Sequence, residues 1–557
     1  MFSRITALRS CTPFVLLLAP ATANARTAAG DDVLAKLTPR NTAVFVRASS
    51  LEKLDAALKR IVGAFEPDAA MSLDELIRGA ELPIAPEDVD HQRPIAFCLV
   101  LPEGGAGDPA PALLIPAASA DNLVRSIADS GFPVATTVDE GYVCVTMGTG
   151  AGRGTSPAPI ALNLPPGEIV ARIDVKRLVE HFRPMIDMGL AQMEAAMAQV
   201  PLDAAAGLDV KPIMKSYADG ARTTVESAQS LDLVLRLDGD RLEIGASLTA
   251  LEKSPLAAFG STEKTRVRDL ARCLHPDASV RFVAGMDPVG MTRIFKPFLE
   301  SCCAMYPEPL RSDVRKMMLK TDELAACMGN SFCGSADFAQ DGLRYAAYFA
   351  PKDSRKLLAT YRAMLEGAPS IALKDSKEIE IDGVPATSMR LQVDAKAFGA
   401  GSAEQTKLLE KMYGPDGISA TFASKGEYAV FVLGGDEAYL ESCVARLSAA
   451  SSTHAGLDRG LAAVGDLNPC FVLRYDIGKL LFGMRRFAGD AMPGLPADVP
   501  NVSASLTCWG GVDGRVWRGA TSVDLKELGG MVRAMRSAER KASVKPAGLS
   551  PEPSNGR

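Results

Sequence analysis

Histidine is almost missing from this chain. Its 557 residues hold four, His91, His181, His275 and His454, and no two stand at a metal-binding spacing, which excludes an H-E-x-x-H zinc protease. A histidine-based triad would have to recruit one of the four, and nothing in the sequence marks any of them. Aromatic residues are also few, at 6%, with two Trp. Neither charge sign dominates: 61 basic against 67 acidic residues give a net charge of −6, and no basic stripe is interleaved with aromatics. That removes nucleic acid as a partner. Cysteine is too sparse, at 11, for a disulfide scaffold, and no C-x-x-C spacing offers a redox or zinc site. Beyond the N-terminus no uncharged apolar run approaches the roughly 20 residues that span a bilayer.

What remains is an ordinary globular composition, 47% hydrophobic and 23% charged, long enough for about three to four domains. The first residues have the order of an export signal. Arg4 and Arg9 make a positive start, Phe14 to Ala19 form a short apolar core, and Ala23-Asn24-Ala25 supplies a small-x-small cleavage pattern. Residues 1–25 are therefore expected to be a signal peptide, and the mature product a soluble periplasmic or secreted protein with no transmembrane segment. Cleavage moves the net charge to −8 and leaves ten cysteines. Cys98, Cys144, Cys470 and Cys508 lie in strand-like runs, where a thiol acts as a small hydrophobe. Cys302, Cys303, Cys327 and Cys333 fall within one helical insertion and are the candidate disulfide cysteines.

A repeat organises the rest. Leu-x-Pro, a short apolar strand and an amphipathic helix recur from Leu37, Leu164, Leu274 and Leu467. Proline, lacking a donor, can precede a strand but not sit inside its ladder. In the first copy Leu51, Leu54, Leu58 and Ile61 recur at helical spacing behind Ser50, a plausible N-cap. Each copy is followed by a strand pair and another helix. The turns Asp238-Gly239-Asp240, Gln340-Asp341-Gly342 and Val512-Asp513-Gly514 are of the kind hairpins favour. Copies one and three add a further strand pair, ending before Gly148 and Asp436. The expected fold class is α+β: tandem β-α-β-β-α modules forming mainly antiparallel sheets with helices packed on one face. The modules fall into two pseudo-equivalent halves, 31–262 and 268–540, before a disordered tail at 541–557.

Catalytic signatures fail on inspection. Gly148–Thr155 is glycine-rich but lacks the lysine of a P-loop, and prolines follow it where a helix is needed. Ser50–Lys53 and Ser261–Lys264 have the Ser-x-x-Lys spacing without the S-D-N and K-T-G partners. Gly329–Gly334 misses the G-x-S-x-G elbow by one residue. Asp174 and Asp476 occupy matching places after their strands, each two residues beyond an arginine, Arg172 and Arg474, which suits a structural ion pair or a helix cap. Met185, Met188, Met193 and Met197 line one side of a helical insertion and form a candidate apolar binding surface, because flexible thioethers suit an adaptable contact.

The order of export signal, Leu-x-Pro, strand ending in Arg-x-Asp, helix and repeated hairpin resembles the large exported proteins of unknown function of planctomycete and verrucomicrobial bacteria. That resemblance implies fold and compartment only. The expected function is a non-enzymatic exported protein that binds an apolar ligand or a protein partner in the cell envelope, without cofactor or metal. An envelope hydrolase with a loop-borne site and a structural envelope component are the alternatives.

Overall fold

The computed structural model describes residues 29–544, leaving out 70, 80–83, 105–106, 148–157, 200–210, 258–264, scattered positions between 286 and 309, 340–341, 367–370, 394–416, 449–456, 468–469 and 490–498. The export signal, the Gly148 loop, Ser261–Lys264, His454 and the Gly-Ala-rich segment at 398–415 thus lie outside the described residues.

Alternating apolar residues between polar turns make strands, and eighteen of them join one sheet. In chain order they are β1 Thr42–Ala48, β2 Ile95–Val100, β3 Ala110–Pro116, β4 Val134–Asp139, β5 Tyr142–Met147, β6 Ile169–Ile173, β7 Ala228–Asp238, β8 Arg241–Ala250 and β9 Val280–Gly285. They continue as β10 Ser331–Ala339, β11 Gly342–Phe349, β12 Ile371–Ile381, β13 Val384–Val393, β14 Ile418–Lys425, β15 Tyr428–Leu433, β16 Cys470–Asp476, β17 Ser505–Asp513 and β18 Val516–Asp524. Every pairing is antiparallel. Followed from edge to edge, the order is β4-β5-β3-β2-β1-β6-β7-β8 and then β18-β17-β16-β9-β10-β11-β15-β14-β13-β12. The two runs join where β8 pairs with β18, Gly245 opposite Ala520.

The fold is α+β, but its helices lie on both faces. Successive side chains on a strand point to opposite sides, and both sides are buried. On β5, Tyr142 and Cys144 pack with Phe45, Cys98 and the helix Ala29–Leu37, while Val143 packs with Leu123 and Ile127 of the helix Ala120–Asp129. On β15, Ala429 faces Leu357 and Leu365 of the helix Ser354–Glu366, while Val430 and Val432 face Cys443 and Val444 of the helix Glu437–Ala445. One-sided covering fails because strands buried on both faces read as continuous apolar runs, such as Tyr428–Leu433.

One hairpin escaped the sequence reading. β12 and β13 pair from Ile371↔Val393 to Ile381↔Val384 across Asp382 (φ 50°) and Gly383 (φ 73°), the positive dihedrals of a type I′ turn. The terminal helix Leu525–Val544 runs three residues past the expected start of the tail at 541.

Candidate functional site

Register across the sheet sorts the side chains by charge. Along one level, Leu113, Phe97, Val46, Ala171, Leu233, Ala246, Gly519, Gly510, Phe471, Ala284, Phe332 and Phe349 stand side by side, from β3 to β11. The neighbouring levels on that face are equally apolar: β7 contributes Leu231, Leu233, Leu235 and Leu237, and β8 contributes Leu242, Ile244, Ala246 and Leu248. From β4 through to β13 this face carries no Asp, Glu, Lys or Arg. Two cross-strand pairs show how closely it packs: a Cβ on Gly334 would lie 2.6 Å from the Phe282 ring, and one on Gly510 would lie 2.5 Å from the Phe471 ring. Glycine lets each phenyl ring lie flat against the opposite strand. Parts of the face remain open to water. Leu233, between Ala171 and Ala246, is 39% exposed; Phe97 is 39% and Ile244 43% exposed.

The opposite face carries the charges. Arg172 forks onto Asp232, Nε to Oδ1 at 2.6 Å and Nη2 to Oδ2 at 2.9 Å, and its Nη1 donates to Leu162 O. Arg236 reaches Glu243 at 3.2 Å. Arg281 stands opposite Arg474, and burial together with that neighbouring guanidinium lowers the Arg281 pKa.

At one end of β9, β10 and β11 a different set of charges lines an open cleft of about 600 Å³. Its strand-end wall holds Asp277, Asp337 and Arg344, with Ser279 donating its hydroxyl to Asp337. Asp436 caps the helix Glu437–Ala445 by accepting from Tyr439 N at 2.9 Å, and meets Arg344 at 3.3 Å. The other wall is the helix Ile477–Ala488, which presents Lys479, Phe482, Gly483 and Arg486. Asp476 starts that helix: it accepts from Lys479 N at 3.0 Å, Ser503 Oγ at 2.6 Å and Ala504 N at 3.2 Å. Gly483 is required by proximity, since a Cβ there would lie 2.9 Å from Phe338 O. Half-buried His275 lies nearby, its ring 5.9 Å from that of Tyr439. Burial, helped by Arg446 and opposed by Asp277 and Asp337, lowers its pKa.

The residues singled out by sequence fall elsewhere. Met185 and Met188 stand 61% and 56% exposed on the helix Val175–Gln199; Met193 is half-buried on the same helix, and the Met197 side chain is outside the described residues. Met214 and Tyr217 of the adjoining helix Lys211–Ser227 add further exposed apolar area. Cys302 lies outside the described residues and Cys303 is buried. Cys327 and Cys333 are free buried thiols, against the expectation of a disulfide. Cys333 belongs to β10, not to the helical insertion. It donates to Leu270 O at 3.0 Å in one core cluster, while Cys327 packs in another beside Leu357 on the other side of the sheet. Burial pushes the Cys98 thiol up to about 12 and Cys273 to about 11, so neither offers a thiolate nucleophile.

Ser50 accepts from Lys53 N at 3.2 Å, the cap expected of it. Asp174 likewise caps its helix, accepting from Arg177 N at 3.1 Å. Arg172, however, pairs across the sheet with Asp232 and not with the nearby Asp174. Among the described residues no group of three or more His, Cys, Asp or Glu could hold a metal ion, and no helix is long and apolar enough to cross a membrane.

No protein-family model matches the chain, and no curated protein matches it. Solved structures of TP0453 in crystal forms III and I are similar over 49% and 48% of this chain and 98% and 97% of theirs, at 9% and 8% identity and a TM-score of 0.22 each. A likeness that slight assigns neither fold nor function.

Proposed function

We propose that this chain is an exported, non-enzymatic binding protein, and that the uncharged face of its sheet is the surface that receives an apolar partner. The supporting observation is the face itself: no charge from β4 to β13, with Phe97, Leu233 and Ile244 still reaching water. A face that served only the core would be closed over; large open apolar patches mark contact surfaces. The exposed Met185 and Met188 on a helix that packs against β7 extend the apolar area.

The scaffold is read as two copies of one unit. The orders β4-β5-β3-β2-β1-β6-β7-β8 and β14-β15-β11-β10-β9-β16-β17-β18 are the same under a shift of numbering, with β12–β13 appended to the second. Asp174 N donates to Ala43 O at 2.8 Å, and Asp476 N donates to Ser279 O at 2.7 Å, at corresponding points. Export rests on the order of residues 1–25.

Titration of the purified chain with the neutral fluorophore N-phenyl-1-naphthylamine tests the reading. Saturable binding that weakens at least tenfold in a Leu233→Lys/Ile244→Lys variant of unchanged circular dichroism is the expected result. Absent binding, or equal binding by that variant, would overturn it.

A further inference from the structure

The cleft between the ends of β9–β11 and the helix Ile477–Ala488 carries cations on its helix wall and carboxylates on its strand wall, where Arg344 stands opposite Asp337 in register and pairs with Asp436. Lys479 and Arg486 stand on the helix wall, two turns from each other and so about 10 Å apart along its axis. Neither forms an ion pair among the described residues; Arg486 lies over the Phe482 ring at 5.6 Å. Asp277 and Asp337 stand on the strand wall, also without an ion pair among the described residues, while Arg344 and Asp436 satisfy each other. Two cations thus face two carboxylates across about 600 Å³, a volume suited to a small molecule.

The matching corner of the other half is not built this way. Strand register and the matching caps Asp174 and Asp476 place Val100, Ala110, Arg177, His181 and Pro184 where this corner has Asp337, Arg344, Lys479, Gly483 and Arg486. There Arg177 is turned inward, 3.4 Å from both Thr42 O and Asn41 Oδ1. The fold does not need this set of charges, since the other copy keeps a single cation, Arg177, and has Val100, Ala110 and Pro184 where this corner has Asp337, Arg344 and Arg486.

We propose that the cleft binds a small zwitterion, an ammonium joined by a short linker to a phosphate. The phosphate meets Lys479 and Arg486, whose guanidinium fork matches oxyanion geometry. The ammonium meets Asp277 and Asp337. Free phosphoethanolamine and the headgroup of phosphatidylethanolamine share this chemistry.

Calorimetric titration of the purified chain with phosphoethanolamine, ethanolamine and inorganic phosphate tests the proposal, beside flotation with phosphatidylethanolamine vesicles. Phosphoethanolamine should bind at least tenfold more tightly than either half alone. Lys479→Ala/Arg486→Ala should remove that binding, and Asp277→Asn should weaken phosphoethanolamine at least fivefold while sparing phosphate. Vesicle binding that Lys479→Ala/Arg486→Ala abolishes, with no response to the free compound, would support the same site and identify the headgroup as the source. Phosphate binding as tightly as phosphoethanolamine, affinities indifferent to these substitutions in variants of unchanged circular dichroism, or silence in both the free and vesicle arms would overturn it. Leu233→Lys/Ile244→Lys should leave phosphoethanolamine binding untouched, which separates this site from the apolar face.

Discussion

One rung differs between the two runs of strands that meet where β8 pairs with β18. In the first, Phe45 stands beside Arg172 and Arg172 beside Asp232: a ring with no exposure, then a cation held by a carboxylate on the next strand. In the second, the corresponding positions are Arg281, Arg474 and Thr507, two guanidiniums side by side with a threonine where the first run has Asp232. Arg281 instead donates to Pro276 O and Arg474 to Ser505 Oγ. The backbone pairing is the same, so the frame tolerates either solution. The first run of strands settles its cation on a carboxylate of the next strand; the second holds a buried Arg281 and its neighbour Arg474 on a backbone carbonyl and a hydroxyl.

Exchanging the rungs gives the largest expected effect. Phe45→Arg would place a cation among Leu34, Cys98, Leu114 and Tyr142. The loss of the ring alone costs about 3–5 kcal/mol, and an unpaired buried charge adds to it; denaturant unfolding should show the first half no longer folded. The reciprocal Arg281→Phe should cost only about 1 kcal/mol, because relief of a desolvated charge beside Arg474 offsets the lost attraction to Asp476 and Asp277 and the lost bond to Pro276 O. A large loss there would show that the two rungs are not interchangeable.

Next comes truncation of the second arginine. Arg172→Ala strands Asp232, whose side chain is 18% exposed, and should cost about 3 kcal/mol, whereas Arg474→Ala forfeits a bond to a neutral hydroxyl and should cost about 1 kcal/mol. Equal losses by chemical denaturation would erase the distinction. The helix caps should differ in the other direction. Asp476→Ala gives up three hydrogen bonds at a residue 3% exposed, about 2–3 kcal/mol, against about 1 kcal/mol for Asp174→Ala.

The smallest effect is in pH. His275 has its pKa lowered by burial, so below the ordinary imidazole value of about 6.5 the unfolded chain takes up a proton that the native chain resists. Stability contributed by neutral His275 is therefore present above that value and lost as pH falls through the native pKa. The first half has Thr38 at the corresponding place and no such dependence. His275→Gln should flatten the fall in Tm between pH 7 and pH 5; an unchanged slope would remove His275 as its source.

Much of this was legible in the residues, and the exceptions have physical reasons. Asp-Gly turns announced β7–β8 and β17–β18, and Leu-x-Pro announced β1, β6, β9 and β16. The β12–β13 hairpin had the same signal at Asp382-Gly383, but Lys374, Asp375, Lys377, Glu378 and Glu380 make its outer strand look like surface loop. Such charges suit an edge strand, where they oppose pairing with another chain. The uncharged face could not be seen locally, because its members meet only through register across seventeen strands. The cleft is equally dispersed, from Asp277 to Asn501, and no spacing motif links its residues. The Arg172–Asp232 pair spans sixty positions, a separation that no local spacing reveals.

Carbene footprinting with an apolar diazirine, mapped by mass spectrometry, tests most directly whether the uncharged face receives apolar molecules. Label should concentrate on Phe97, Leu233 and Ile244, with Met185 and Met188 next, and should fall at those strand positions when N-phenyl-1-naphthylamine is present as competitor. Label spread in proportion to exposure over the whole surface, with no protection by the competitor, would contradict the account.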